Sequence, residues 1–287
     1  MLISACGFTA MNLLLKHALA AFSVWDVGFY RFAGGLAILL VLFGRSGNPF
    51  GGPDTKLLLL RGCTGSIAFI FFIISVKLLP VSTALVLLYM YPTFAAIFAA
   101  WLYRESVSRP AWCCMAAVLI GVIVLVDPAR GPDPTGVLCG LVSALFAGLT
   151  IAVIRRLKQT HGSVVIYLYF CLVGALVTMP AYLAAPTLPV SLPQLLVCAG
   201  IVLASILGQL MMNHGFGFCR SWEGGLYLTS ELVLTALAGI LLFGDPVGWR
   251  FFTGGGLILG SALLLQLEHV LNGRPAPAAV AEKDPPA

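Results

Sequence analysis

The sequence predicts an all-α polytopic membrane protein, with ten transmembrane helices in two inverted five-helix repeats around a central cavity. Hydrophobic residues make up 60% of the 287 positions and charged residues only 9%, whereas soluble proteins carry roughly 25% charged residues. Apolar runs recur at about 20 residues, the length that crosses a hydrocarbon core of about 30 Å. The two halves of the chain also resemble each other, and repeats determine architecture.

Polar breaks divide the chain into ten apolar spans. We interpret the first as a retained helix rather than a cleaved signal peptide, because no basic residue precedes its apolar run. The first repeat covers residues 1–130 and the second, inverted, covers 131–271. The Pro- and Ala-rich segment 272–287 is predicted to be a disordered cytoplasmic tail. The ten spans are roughly 2–19, 25–44, 57–79, 81–103, 110–127, 134–154, 164–184, 192–213, 222–243 and 249–270.

The repeat is clearest between the fourth and ninth spans. Residues Ala84–Glu105 align with Gly224–Asp245, and this alignment places Tyr91 opposite Glu231. Pro92 lies near the middle of the fourth span, where a proline removes a backbone hydrogen bond and bends the helix. We therefore predict that Pro92 makes the fourth helix a gate. A half-chain repeat is the usual plan of secondary transporters, so the pattern predicts alternating access.

The basic residues predict the orientation in the membrane. With the N-terminus inside, eleven Lys and Arg residues fall on the cytoplasmic side and four on the outer side. Cytoplasmic loops carry the excess of Lys and Arg, so both termini are expected in the cytoplasm. Arg61 is one of the eleven basic residues that this orientation places on the cytoplasmic side.

Ionisable side chains within the spans are candidates for a substrate site, because a central charge costs about 2.5–3.5 kcal/mol. Arg31 lies inside the second span and Glu231 inside the ninth. For Arg31, a structural pairing with Asp26 or with a helix C-terminus and a functional role are both open. Lys16 is shallower, so its amine can instead extend towards the interface.

A zwitterionic substrate needs a cation for its carboxylate and an acceptor for its ammonium group. We predict Arg31 or Lys16 in the first role and Glu231 in the second, with Asn12 adding a hydrogen bond. Glu231 and His214 are the candidates for proton coupling. The other predicted substrate contacts are Tyr30, Tyr89, Tyr91, Tyr227 and Ser230.

Tyr89 and Tyr91 are two residues apart. In a regular helix, residues at this spacing lie on nearly opposite sides. We therefore expect at most one of the two phenols to face the cavity.

Several classes of protein are disfavoured by what the sequence lacks. It contains no HExxH, GxSxG or Walker motif, and its eight cysteines show no CxxC spacing. We therefore expect no enzyme activity, catalytic residue, cofactor or metal; an intramembrane enzyme or a channel is a weaker alternative. The net charge of +5 arises at helix ends, so no nucleic-acid partner is expected. The expected partners are a lipid bilayer and a small-molecule substrate, with the protein monomeric or weakly oligomeric.

Three stretches carry a family resemblance. Tyr30-Arg31-Phe32-Ala33 opens the second span, YPTFAAIFAAWLYRE ends the fourth, and Asp133-Pro134-Thr135-Gly136 leads into the sixth. The order and spacing of these stretches resemble those of the drug/metabolite transporter superfamily, EamA type, and the resemblance covers nearly the whole chain. Many relatives keep a Glu-Pro pair where this chain has Glu231-Leu232, so the ninth helix is expected to bend less than the fourth.

The resemblance implies a multi-pass protein of the bacterial inner membrane that exports small metabolites. Within the superfamily, the chain most resembles the exporters of aromatic amino acids. The expected substrates are therefore amino acids, aromatic or otherwise neutral. An exporter of drugs or quaternary amines with the same fold is the alternative. Proton coupling and facilitated diffusion are both open.

Overall fold

A computed structural model of the protein describes residues 1–44, 54–103, 133–217 and 248–271, with single positions between 113 and 124 and between 228 and 242. The regular elements of these residues are all α-helices. In chain order they are α1 (Leu2–Ala18), α2 (Val24–Phe43), α3 (Thr55–Leu78), α4 (Val81–Leu88), α5 (Tyr91–Tyr103), α6 (Pro134–Leu157), α7 (Ser163–Ala184), α8 (Leu192–Gly215) and α9 (Trp249–Leu271).

Five of the described helices are long and apolar enough to cross a membrane: α2, α3, α6, α7 and α8. Large apolar side chains also point outward, including Val41 and Trp101, which are 78% and 75% exposed. Broad exposed apolar surfaces are rare on soluble proteins, so these faces are suited to lipid. The described helices follow the predicted spans within a few residues. The spans 110–127 and 222–243 lie mostly outside the described residues, and the tail 272–287 lies wholly outside them.

Local sequence signals set where α2 and α6 begin. At the start of α2, the Ser23 hydroxyl accepts from the Asp26 amide at 3.1 Å, and the Asp26 carboxylate accepts from the Ser23 amide at 3.0 Å. This reciprocal capping box satisfies two amide groups that a helix leaves unpaired at its start. Asp133 caps α6 in a related way, accepting from the Thr135 amide at 2.8 Å.

The fourth predicted span is interrupted near its middle, as Pro92 predicts. Helix α4 ends at Leu88, Tyr89 and Met90 form a turn, and α5 begins at Tyr91. Pro92 is therefore the second residue of a new helix, where its fixed φ is compatible with helix and its missing N–H is tolerated. The single bent helix that the sequence predicts is therefore two helices, separated by a two-residue turn just before the proline.

The helix contacts between the two halves are similar when the halves are exchanged. Helix α1 packs on α8 and α6 packs on α3, while α2 and α7 pack on each other. Two hydrogen bonds between the halves correspond to each other: the Ser4 hydroxyl of the first half donates to the Gly208 carbonyl of the second at 2.7 Å, and the Ser143 hydroxyl of the second half donates to the Ala68 carbonyl of the first at 2.7 Å. Ser4 and Ser143 are separated in the sequence by almost the same number of residues as Tyr91 and Glu231. The same is true of Ala68 and Gly208, which supply the two carbonyls.

Candidate functional site

A cavity of about 140 Å³ lies where the helices converge. Its walls come from α1 to α8 and from the helical positions 228 and 231. Aromatic and aliphatic side chains form most of the wall, and polar side chains form the rest. The polar residues that line it are Asn12, Arg31, Arg61, Tyr89, Tyr91, Ser143, Thr150, Gln209 and Glu231.

Glu231 anchors one group of polar side chains in the cavity. Its carboxyl accepts from Asn12 Nδ2 at 3.0 Å and from the Tyr89 hydroxyl at 3.1 Å. The Tyr89 hydroxyl also contacts the Leu228 carbonyl. Glu231 is buried, and these donors partly compensate for the loss of water around its carboxyl. The group links α1, the end of α4 and the segment that contains Glu231.

Two arginines form a second polar group in the same cavity. Arg31 and Arg61 are each only 1% exposed. The Arg31 guanidinium carbon lies 3.7 Å from the centroid of the Phe69 ring, and that of Arg61 lies 4.4 Å from the centroid of Phe170. Arg31 is also 5.1 Å from the Phe170 centroid, so the two cations share one ring. Arg61 Nη2 donates to Gln209 Oε1 at 3.2 Å.

Neither arginine has a carboxylate partner among the described residues. The Nε and Nη1 atoms of both are buried without a hydrogen-bond partner there. The ion pair with Asp26 is not formed, because Asp26 accepts from Ser23 and Thr187 amides instead. A central charge costs about 2.5–3.5 kcal/mol, and a cation–π contact returns about 0.5–2 kcal/mol. Stacking therefore compensates only part of the cost of burying two cations.

Gly65 makes room for Arg61. A Cβ atom at position 65 would overlap Arg61 Nη1 and would lie 2.9 Å from Phe170 Cε2. A side chain here would therefore compete with the guanidinium and the ring for the same space. The glycine is needed for close approach, which is a common reason for glycine at helix contacts in membranes.

The structure brings together five of the side chains that the sequence predicted for the site: Asn12, Arg31, Tyr89, Tyr91 and Glu231. The expectation that only one of the two tyrosines faces the cavity is wrong. Both line it, and their ring centroids are 5.5 Å apart. The reason is the turn at Tyr89 and Met90, which interrupts the helical rotation that would have separated them.

Lys16 lies outside the cavity. Its ammonium group donates to the carbonyls of Val76 and Leu79, each at 2.8 Å. These carbonyls end α3, where a helix leaves acceptors unpaired and favours a cation. In this geometry Lys16 joins α1 to the end of α3.

The other predicted site residues are elsewhere or outside the described part. The Tyr30 hydroxyl donates to the Thr187 carbonyl, at the end of the molecule where α7 and α8 are connected. His214 is exposed near the end of α8. Tyr227 and Ser230 lie outside the described residues.

Arg61 and Gln209 line the cavity but were not predicted as site residues. The predicted orientation counts Arg61 among the basic residues of the cytoplasmic side. It is the seventh residue of α3 and faces inward. A signal was present: Arg61, Gly65 and Ala68 are spaced by three and four residues, so they share one helix face. That face continues into Phe69 and Phe72 of the cavity wall.

The chain belongs to the EamA-like transporter family, whose sequence profile matches residues 1–127 and matches again at 134–267. It is a membrane transporter and not an enzyme. The two matched regions lie on either side of the boundary that the sequence predicted between the repeats.

Two relatives of similar length are named as transporters. The chain is 27% identical over 254 residues to the pseudopaline exporter CntI of Pseudomonas aeruginosa (strain UCBPP-PA14), covering 88% of this chain and 86% of the relative. It is 23% identical over 281 residues to the S-adenosylmethionine uptake transporter of Rickettsia bellii, covering 92% and 91%. A solved crystal structure matches with a TM-score of 0.64 at 19% identity, covering 95% of this chain and 99% of the other; it shows a shared fold.

Proposed function

We propose that this transporter exports amino acids and similar zwitterions across the bacterial inner membrane by alternating access, with both termini in the cytoplasm. The observation that carries the proposal is one cavity lined by a buried carboxyl, Glu231, and by two buried guanidinium groups, Arg31 and Arg61. No hydrogen bond or ion pair joins Glu231 to either arginine among the described residues. The two charge types are therefore available to opposite ends of a zwitterion.

The size and charge of the cavity favour a small metabolite over a drug. Pockets for drug-sized ligands enclose roughly 300–1,000 Å³, whereas this cavity encloses about 140 Å³. A quaternary-amine exporter would need an acidic aromatic cavity without cations. Two arginines in the wall oppose such a substrate, so the alternative of drug or quaternary-amine export is less well supported.

The repeated packing supports two inverted repeats. The Ser4 and Ser143 hydrogen bonds occur at matching positions in the two halves, and α1 on α8 matches α6 on α3. Alternating access in such proteins moves one repeat against the other around a fixed site. The export direction rests on the family resemblance, since one relative is named as an exporter and another as an uptake transporter.

In this proposal the break in the fourth span, between α4 and α5, acts as the gate. Tyr89 follows the last residue of α4, and its hydroxyl donates to the carboxyl of Glu231. A substrate ammonium group that binds Glu231 competes with this hydrogen bond, and so loosens the contact between the break and the Glu231 segment. We propose that this competition couples substrate arrival to movement of α5.

A counterflow screen tests the proposed function. Purified protein in liposomes preloaded with each of the twenty amino acids is given the same amino acid in labelled form outside. A carrier gives saturable uptake that depends on the internal amino acid. A channel gives uptake without saturation or counterflow. Failure to move any of the twenty amino acids would refute amino-acid transport.

Glu231→Gln tests the ammonium site. The substitution keeps the shape of the side chain and replaces a charge-assisted contact of about 1.5–3 kcal/mol with a neutral one of about 0.5–1.5 kcal/mol. We expect the apparent KM to rise by about 5- to 30-fold, with little change in thermal stability. Asp54→Asn is the matched control, because it removes an exposed carboxylate at the start of α3, outside the cavity. An unchanged KM across pH for Glu231→Gln would exclude a direct role.

A further inference from the structure

We infer that the preferred substrate carries two negatively charged groups in addition to its ammonium group, and that Arg31 and Arg61 each bind one of them. This inference rests on the proposed function and narrows its substrate class. The family resemblance predicts neutral amino acids, whereas the described cavity indicates acidic ones.

Charge balance is the first reason. Among the described residues that line the cavity, the carboxyl and guanidinium groups are those of Glu231, Arg31 and Arg61. With all three ionised they sum to one positive charge, and a neutral amino acid leaves that charge in place. An amino acid with a second anionic group brings the occupied cavity to neutrality. Buried charges are stable when they are paired, so the acidic substrate is favoured.

The unused hydrogen-bonding capacity is the second reason. Each guanidinium group has five N–H donors, yet Nε and Nη1 of both arginines lack a partner among the described residues. The carboxyl of Glu231 does not serve them, because it accepts from Asn12 and Tyr89. One carboxylate can take a bidentate bond from one guanidinium group. Two arginines therefore match two anionic groups.

The position of the arginines is the third reason. Both are held over the Phe170 ring, at 5.1 Å for Arg31 and 4.4 Å for Arg61, so a compact substrate can reach both. Gln209 fixes Arg61 through Nη2, and Phe69 supports Arg31 at 3.7 Å. Stacking orients a guanidinium plane without using its N–H donors. The pair is therefore positioned before the substrate arrives.

Matched pairs of amino acids test the inference on the unmodified protein. Competition for counterflow is measured with glutamate against glutamine, aspartate against asparagine, and O-phosphoserine against serine. We expect the acidic member to compete on the order of tenfold more strongly, because charge-assisted bonds are roughly twice as strong as neutral ones. A preference in the first two pairs identifies a second carboxylate, and a preference only in the third identifies a phosphate. Equal or weaker competition by all acidic members overturns the inference.

Arg61→Gln and Arg31→Gln test the assignment of the residues. The ratio of glutamate to glutamine competition should fall towards one in both variants. Arg156→Gln is the control, because Arg156 lies at the end of α6, outside the cavity, and bonds Gln159. If a folded variant keeps the full ratio of glutamate to glutamine competition, the arginine that it lacks does not belong to the proposed pair.

A binding measurement separates this inference from the proposed function. Thermal unfolding of the purified protein is compared with glutarate and with pentanoate, which share a chain length and differ by one carboxylate. A larger stabilisation by glutarate supports the arginine pair even if no amino acid is transported. If glutamine and glutamate are transported equally and glutarate gives no stabilisation beyond pentanoate, the inference fails while amino-acid transport stands.

Discussion

Replacing Gly65 by alanine should impair substrate binding through Arg61. The added Cβ would overlap Arg61 Nη1 and press on Phe170 at 2.9 Å. Carbon contacts are favourable at about 3.5–4.0 Å, so the guanidinium group has to move by about 1 Å or more. That movement lifts it from the Phe170 ring and from Gln209. Losing one cation–π contact of about 0.5–2 kcal/mol and one hydrogen bond of about 1 kcal/mol predicts an increase in KM of about 10- to 100-fold.

The assay is counterflow in liposomes, with KM and maximal rate measured separately for the amino acid that the screen identifies. Gly256→Ala is the matched control. It lies in α9, where the described part of the chain places no atom within 4 Å of an added Cβ. Both substitutions gain the same helix propensity, up to about 1 kcal/mol, so a difference between them reports the local contact.

A double-mutant cycle shows whether Gly65 acts through Arg61. In an Arg61→Gln background the shorter side chain no longer occupies the space above position 65. Gly65→Ala should then add little to the loss already caused by Arg61→Gln, since coupled neighbours are not additive. A folded Gly65→Ala protein with an unchanged KM, or full additivity in the cycle, would refute the reasoning.

Two further substitutions separate gating and structural roles from binding. Pro92→Ala should slow exchange between outward-open and inward-open states more than it weakens substrate binding, because a regular helix replaces the break. The measurements are the exchange rate and KM. A larger effect on KM than on the exchange rate would show that Pro92 is not the gate. Lys16→Met should lower the thermal stability by about 1.5–3 kcal/mol per lost charged contact and leave KM unchanged, because its ammonium group bonds the end of α3; a raised KM would restore its predicted substrate contact.

The sequence by itself determined where the described helices lie and that their exposed apolar faces are suited to lipid. The sequence signals involved act locally. The length of each apolar run and the capping residues Ser23 and Asp133 indicate where α2 and α6 begin, and Pro92 indicates the break before α5. It also identified Arg31 and Glu231, since an ionisable residue inside an apolar span is conspicuous without a structure.

Only the tertiary structure decided which of these side chains meet. Asn12 and Glu231 are 219 positions apart in the chain and 3.0 Å apart in space, and periodicity carries no information about such pairs. Arg61 stands beside a span end in the sequence, but α3 packs so that this turn faces the cavity. Lys16 has the chemistry of a carboxylate ligand, yet it lies beside the free carbonyls of α3 and bonds them. Residue type sets what a group can bind, and helix packing sets what it reaches.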